Sequence, residues 1–228
     1  MNKNLFIAIL LVCAFLWLGI PSATAVGPNL VPADSQFVIP VTDDPTIGSG
    51  SNAGAAVQPA TNIQSLDAFS KNVNMGRSGT VAGVYVPNLF AYKIVQQPAG
   101  NVTYVSSLRD TATDFGLATQ YGTVGLLAHN YLAGALFSKL VIGTEVDVVN
   151  GDGAVRRYVV TEVARFQATS PNDPYSSFID LEKGSQLSSN DLFSRIYMGG
   201  NKVVLQTCIS ANGDASWGRL FVTASPMK

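Results

Sequence analysis

The stretch from Glu145 to Arg165, EVDVVNGDGAVRRYVVTEVAR, constrains the fold more than any other. Two β-rich runs flank Asn150-Gly151-Asp152-Gly153, and Asn and Gly accept the positive φ that tight hairpins demand. The chain is therefore expected to double back here, pairing a strand from Glu145 to Asn150 with one from Val155 to Arg165. Short runs of Val, Ile, Tyr and Leu between Gly, Asn and Asp recur from about Leu66 onward. They predict further strands at Thr80 to Val86, Asn101 to Ser106, Thr123 to His129, Lys202 to Cys208 and Leu220 to Ala224. Residues 66–228 thus read as one all-β domain with enough strands to close a small barrel, which hides their edges. Two short helices are expected as packing elements. One spans Ala133 to Leu140, with Leu136, Phe137 and Leu140 on one face; the other spans Ser189 to Met198, with Ser189 as cap and Leu192, Phe193 and Ile196 as the apolar stripe. No repeat period is present.

The segment before this domain has a different character. Lys3 precedes an uncharged apolar run from Leu5 to Ile20, then Pro21, Ser22 and the small residues Ala23-Thr24-Ala25. That order predicts an export signal over residues 1–25, cut after Ala25, with an uncleaved membrane anchor as the alternative. Residues 26–65 are dense in Pro, Gly, Ser, Ala and Asn and read as a flexible spacer. Within them, Gly48 to Gly54 (GSGSNAG) has no strand before it or helix after it, so a phosphate loop is not expected.

Export makes cysteine counting informative. Cys13 lies inside the apolar run as a small hydrophobe, so the exported chain keeps Cys208 alone, and one cysteine cannot close an internal disulfide. Outside the cytoplasm a thiol invites oxidation or mixed disulfides. Two readings follow: a chemical role, or a buried apolar filler. Without Lys3 the chain carries 13 basic against 15 acidic residues, and no basic stripe is visible, so a nucleic-acid partner is not expected. Charged residues are 13% of the chain, about half the usual share, which leaves the surface to Ser, Thr, Asn and Gly.

The single histidine, His129, and Cys208 each terminate an apolar strand, and Arg219 opens the next one. Strand ends are where a rigid scaffold presents side chains to a cleft. A cysteine nucleophile needs its thiolate, a nearby imidazole can stabilise it and later protonate a leaving amine, and a cation can face the developing oxyanion. The plainer alternative makes His129 a hydrogen-bonded surface residue and Arg219 a solvated rim residue. Asn130, beside His129, points to the opposite face if the strand continues, so it is not expected to orient the imidazole.

VVLQTC from Val203 to Cys208, followed by Arg219-Leu220-Phe221-Val222, resembles the sortase signature, in which a TLxTC strand carries the nucleophile and an Arg opens the next strand. Gly125 to Gly134 (GLLAHNYLAG), with Phe137 and Leu140 after it, is similar to the segment that bears the family's His. The departures are Val204 in the place of Thr and Ala128 in the place of the Gly often found before the His. The resemblance covers Thr80 to Ala224. It implies a closed eight-stranded sortase-type β-barrel with one or two short helices and His129, Cys208 and Arg219 as catalytic residues. It further implies a cysteine transpeptidase at the cell surface. The implied partners are a sorting-motif peptide of LPxTG type and an amine acceptor, such as a cell-wall precursor or a pilin lysine. Arg219→Ala is then expected to impair turnover far more than folding. The His-before-Cys order differs from that of NlpC/P60 peptidases, and the Ser-x-Gly-Cys box of L,D-transpeptidases is missing. No cofactor or metal is expected: some sortases use calcium near the barrel, but Asp173 and Glu182 here lack ligand spacing. A catalytically silent binding or adhesion barrel and a plain cysteine hydrolase stay open as alternatives.

Overall fold

The hairpin forms as expected. The Asn150 N–H donates to Ala154 O (2.8 Å), the Gly153 N–H donates to Asn150 O (2.9 Å), and Gly153 supplies the positive φ of +85°. A computed structural model describes residues 36–42 and 63–228; the expected export signal and most of the expected spacer lie outside the described residues. The strands are β1 (Val81–Val86), β2 (Phe90–Gln96), β3 (Thr111–Asp114), β4 (Thr123–Leu127), β5 (Glu145–Asn150), β6 (Val155–Ala168), β7 (Phe178–Asp180), β8 (Gln186–Leu187), β9 (Lys202–Ala211) and β10 (Asp214–Pro226). The helices are α1 (Leu66–Val73), α2 (Gly116–Thr119) and α3 (Ser189–Tyr197), with a 3-10 turn over Ala133–Lys139.

Neighbouring strands run in the order β10-β9-β4-β3-β2-β1-β5-β6, and β10 also pairs with β6, so eight strands close into a barrel; β7 and β8 extend from β6 outside the ring. Closure leaves these eight strands without an open edge. The interior follows from alternation: Val203 and Leu205 of β9 join Leu126, Ala128, Leu220, Val222 and Ala224 in one apolar cluster. The intervening residues of β9, Val204, Gln206 and Cys208, fall on the other face. That outer face is covered by α3, whose Tyr197 ring packs edge-on against Phe221 of β10 (6.2 Å).

An ion pair holds α3 in place. Arg195 donates to Asp180 at 2.7 Å and to Glu162 at 3.1 Å, and its guanidinium lies over the Phe166 ring. Burial raises the Asp180 carboxyl, but the Arg195 bond and the N–H groups of Glu182 and Lys183 outweigh it and hold the group below its usual range.

Several expectations are corrected. Asn101 to Ser106 is irregular chain: Gln97 Nε2 donates to Val102 O and Tyr104 O, and the Ser106 N–H donates to Thr113 Oγ1, so these bonds go to side chains instead of a ladder. The strand expected from Thr123 to His129 ends at Leu127, and neither Cys208 nor Arg219 sits at a strand end: β9 runs past Cys208 to Ala211 and β10 begins at Asp214, because the tight turn at Asn212-Gly213 lets the β9–β10 ladder continue beyond both residues. The cap of α3 is Ser188, not Ser189, in a reciprocal capping box with Asp191. The helix expected from Ala133 is a 3-10 turn ending at Lys139. Strands β2, β3, β7 and β8 and helices α1 and α2 add to the expected set. Finally, within the stretch read as a spacer, residues 36–42 are packed on the domain, with Phe37, Val38 and Ile39 buried and Phe37 stacked on Phe193 of α3 at 4.4 Å.

Candidate active site

Strand β9 lies between β10, its antiparallel neighbour, and β4, its parallel one. Cys208 pairs directly with Arg219 across the β9–β10 ladder. On the other side Leu127 pairs with Gln206, and the Ala128 N–H still donates to Gln206 O at 3.2 Å. The ladder between the two strands ends there, two residues short of His129 and Cys208, and the chain turns at His129, whose carbonyl accepts from the N–H groups of Leu132 and Gly134. Of the three residues singled out in the sequence, Cys208 and Arg219 are cross-strand partners, and His129 lies two residues beyond the end of the strand on the other side of β9.

The surroundings of each differ. Cys208 is 4% exposed and not in a disulfide, and His129 is 7% exposed, with its ring 5.3 Å from that of Tyr131 and its Nδ1 buried without a hydrogen-bond partner. Arg219 is wholly buried, and its guanidinium donates to Ser216 O (2.7 Å), Gly218 O (3.1 Å) and Pro171 O (2.8 Å). It therefore ties the start of β10 to the loop after β6. The expectation that Arg219→Ala impairs turnover far more than folding has these bonds against it, because three carbonyls lose their donor with the guanidinium.

The turn after β4 is fixed by Gly134. Its N–H donates to His129 O at 3.0 Å, and a Cβ there would meet Thr207 Oγ1, Ala128 O at 2.6 Å and His129 O at 2.7 Å. Only glycine lets the 3-10 turn press this closely against the backbone that carries His129. Thr207 Oγ1 donates to Ala128 O at 2.9 Å, locking the end of β4 to β9. Asn130 braces the site from outside, with Nδ2 donating to Ser210 Oγ (2.9 Å) and Ala215 O (2.8 Å).

Sequence reasoning missed what covers the thiol. The Thr42 N–H donates to Cys208 Sγ at 3.3 Å, and Thr42 O accepts from the Asn130 N–H at 3.3 Å. Two residues back, Pro40 O accepts from Gln206 Nε2 at 2.6 Å, while Gln206 Oε1 accepts from the Tyr197 hydroxyl at 2.6 Å. Burial pushes the Tyr197 phenol well up, so it stays a donor. Beside this covered side, a cleft of about 430 Å³ is lined by Asn130, Gly134, Lys139, Arg165, Thr207 and Cys208, among others, but not by His129 or Arg219. Among the described residues, no three His, Cys, Asp or Glu side chains converge as metal ligands.

No family model matches the chain, and no curated protein matches it in sequence. Among solved structures, the chain is similar to sortase C-1 from Actinomyces oris, at 12% identity and a TM-score of 0.45, over 85% of this chain and 90% of that one. It is similar to sortase E1 from Streptomyces coelicolor with a tripeptide in the active site, at 18% identity and a TM-score of 0.42, over 65% and 88%. It is also similar to sortase C from Clostridium perfringens with the C-terminal cell wall sorting motif, at 14% identity and a TM-score of 0.40, over 69% and 74%. The likeness is one of fold.

Proposed function

We propose that the chain is a sortase-type cysteine transpeptidase acting on a sorting-motif peptide of LPxTG type at the cell surface. The observation that carries this reading is the position of Cys208, directly across from Arg219 on β10 and two residues past the last pairing of β9 with β4, the strand that leads into His129. In the first half-reaction the Cys208 thiolate attacks the carbonyl carbon of the motif's Thr, the peptide bond after it breaks, and His129 gives its proton to the departing amine. The product is a thioester on Sγ. Arg219 steadies the oxyanion or the bound peptide. In the second half-reaction His129 takes a proton from an incoming amine, which attacks the thioester and restores the thiolate; water in that place gives hydrolysis. The amine is that of a cell-wall precursor or a pilin lysine. The reading includes export through residues 1–25, with those residues as an anchor if they are retained.

The test is product analysis with an LPxTG-type peptide, with and without an added amine. The wild type is expected to form the amine adduct, and Cys208→Ala and His129→Ala to form none. A Cys208→Ala variant that still cleaves the peptide refutes the assignment. One observation favours a second reading, a catalytically silent barrel used for binding: Cys208 is almost fully buried. Under that reading the thiol resists alkylation whatever is done to the chain that covers it.

A further inference from the structure

Residues 36–42 are attached by main-chain and side-chain groups that come from four separate parts of the domain. The Phe37 N–H donates to Asn190 Oδ1 on α3 at 2.7 Å, and the Ile39 N–H donates to Pro174 O in the loop between β6 and β7 at 2.9 Å. Pro40 O is held by Gln206 Nε2 on β9, and Thr42 meets both Cys208 Sγ and the Asn130 N–H after β4. Each of these bonds is to the peptide backbone of the segment. Pro40 has no N–H to satisfy, so its burial leaves no donor stranded. Only Phe37 is gripped by ring stacking, between Phe193 at 4.4 Å and the edge of Tyr121 at 5.8 Å. Backbone capture with a few buried side-chain anchors, here Phe37, Val38 and Ile39, is how a groove binds an extended peptide.

We propose that this groove is a peptide-binding site and that residues 36–42 are its tethered internal ligand, which gates access to the Cys208 thiol. The occupant shows the kind of peptide that fits: a buried aliphatic residue, then proline, then two small β-branched residues, here Ile39-Pro40-Val41-Thr42. Identifying the groove with the acyl-donor site rests on the transpeptidase reading above; the gating of the thiol does not. Two features make the segment a competitor and not a product-forming substrate. The sulfur is engaged by the Thr42 N–H as a hydrogen-bond acceptor, and the residue after Thr42 is Asp43, where the LPxTG pattern has glycine. Thr42 Oγ1 is buried without a hydrogen-bond partner, so the fold gains nothing from a hydroxyl at that position. A free peptide that approaches Cys208 along this groove must displace the segment first.

The experiment compares the rate at which iodoacetamide labels Cys208 in the full-length wild type, in Phe37→Ala, which removes the anchor, and in Thr42→Pro, which removes the N–H on sulfur. Both variants are expected to label at least tenfold faster. A synthetic heptapeptide, Gln-Phe-Val-Ile-Pro-Val-Thr, added to Phe37→Ala is expected to slow labelling back toward the wild-type rate, whereas the reversed sequence does not. Recovery by the forward peptide separates gating from a general loosening of the fold. Equal rates in all three proteins, or no protection by the forward peptide, overturn the proposal. Labelling needs no turnover. Protection without any acyl adduct from LPxTG-type peptides therefore sinks the transpeptidase reading alone, and turnover without faster labelling in the variants sinks the gating alone.

Discussion

Gln206 is wholly buried and joins two groups that have no access to water: its Oε1 takes the Tyr197 hydroxyl and its Nε2 gives to Pro40 O, both at 2.6 Å. Replacing it with leucine keeps the bulk and removes both functions. The Tyr197 hydroxyl and Pro40 O are then stranded, and each buried unsatisfied group costs about 1–3 kcal/mol, so Gln206→Leu is expected to destabilise by ~2–6 kcal/mol. Tyr197→Phe strands only the Gln206 oxygen and is expected to cost ~1–3 kcal/mol. In the double variant neither the hydroxyl nor the amide is present, and only Pro40 O lacks a partner. The double variant should therefore be less destabilised than the sum of the singles by about 2 kcal/mol. Urea unfolding of the four proteins measures this, and at about 2–4 °C per kcal/mol for a chain of this size the melting points follow in parallel. Singles that add within about 0.5 kcal/mol would refute the idea that the three groups form one buried chain of bonds.

Asp114 is buried, and desolvation lifts its carboxyl to about 6 from 3.8, with a bond from the Thr119 side chain offsetting part of the rise. The folded state then holds the proton more tightly than the unfolded one, so its contribution is complete below about pH 4 and is lost as pH rises through about 6. The loss is on the order of 3 kcal/mol, and urea midpoints for Asp114→Asn should lack that fall. Gly134→Ala forces a methyl group into Ala128 O and His129 O; it should cost ~1–3 kcal/mol in urea and lower turnover, because the backbone under His129 must move. Arg219→Lys keeps the charge but not the planar fork that serves three carbonyls, and a drop of ~2–4 kcal/mol in thermal or urea unfolding is expected even where the charge suffices for binding.

The hairpin at Asn150 to Gly153 was legible because its instruction is local, in the residues of the turn and the runs beside it. The neighbourhood of the candidate site was legible in part: apolar runs before His129 and Cys208 and after Arg219 mark β4, β9 and β10 as strands, and these three are neighbours, although β9 continues past Cys208 and β10 starts before Arg219. What stayed hidden depends on partners far away in the chain. Residues 36–42 offer only three apolar residues before Pro40, and the groups that bind them, Asn190 and Gln206, lie 153 and 166 residues away from their partners. No local period encodes that. Strand β3, Thr-Ala-Thr-Asp, is short and polar and becomes a strand only through its pairing with β2 on one side and β4 on the other. Conversely, Asn101 to Ser106 has β-forming residues, but the Gln97 side chain takes its carbonyls first. The role of Arg219 was half visible: its place beside the cysteine follows from strand order, whereas its grip on Pro171, 48 residues away, does not.

Intact-mass measurement after brief incubation with an LPxTG-type peptide, without added amine, tests the central claim most directly. The account predicts a mass increase equal to the acyl portion of the peptide, mapped to Cys208 and absent from Cys208→Ala. An adduct on any other residue, or cleavage of the peptide with Cys208 unmodified throughout the time course, would contradict it.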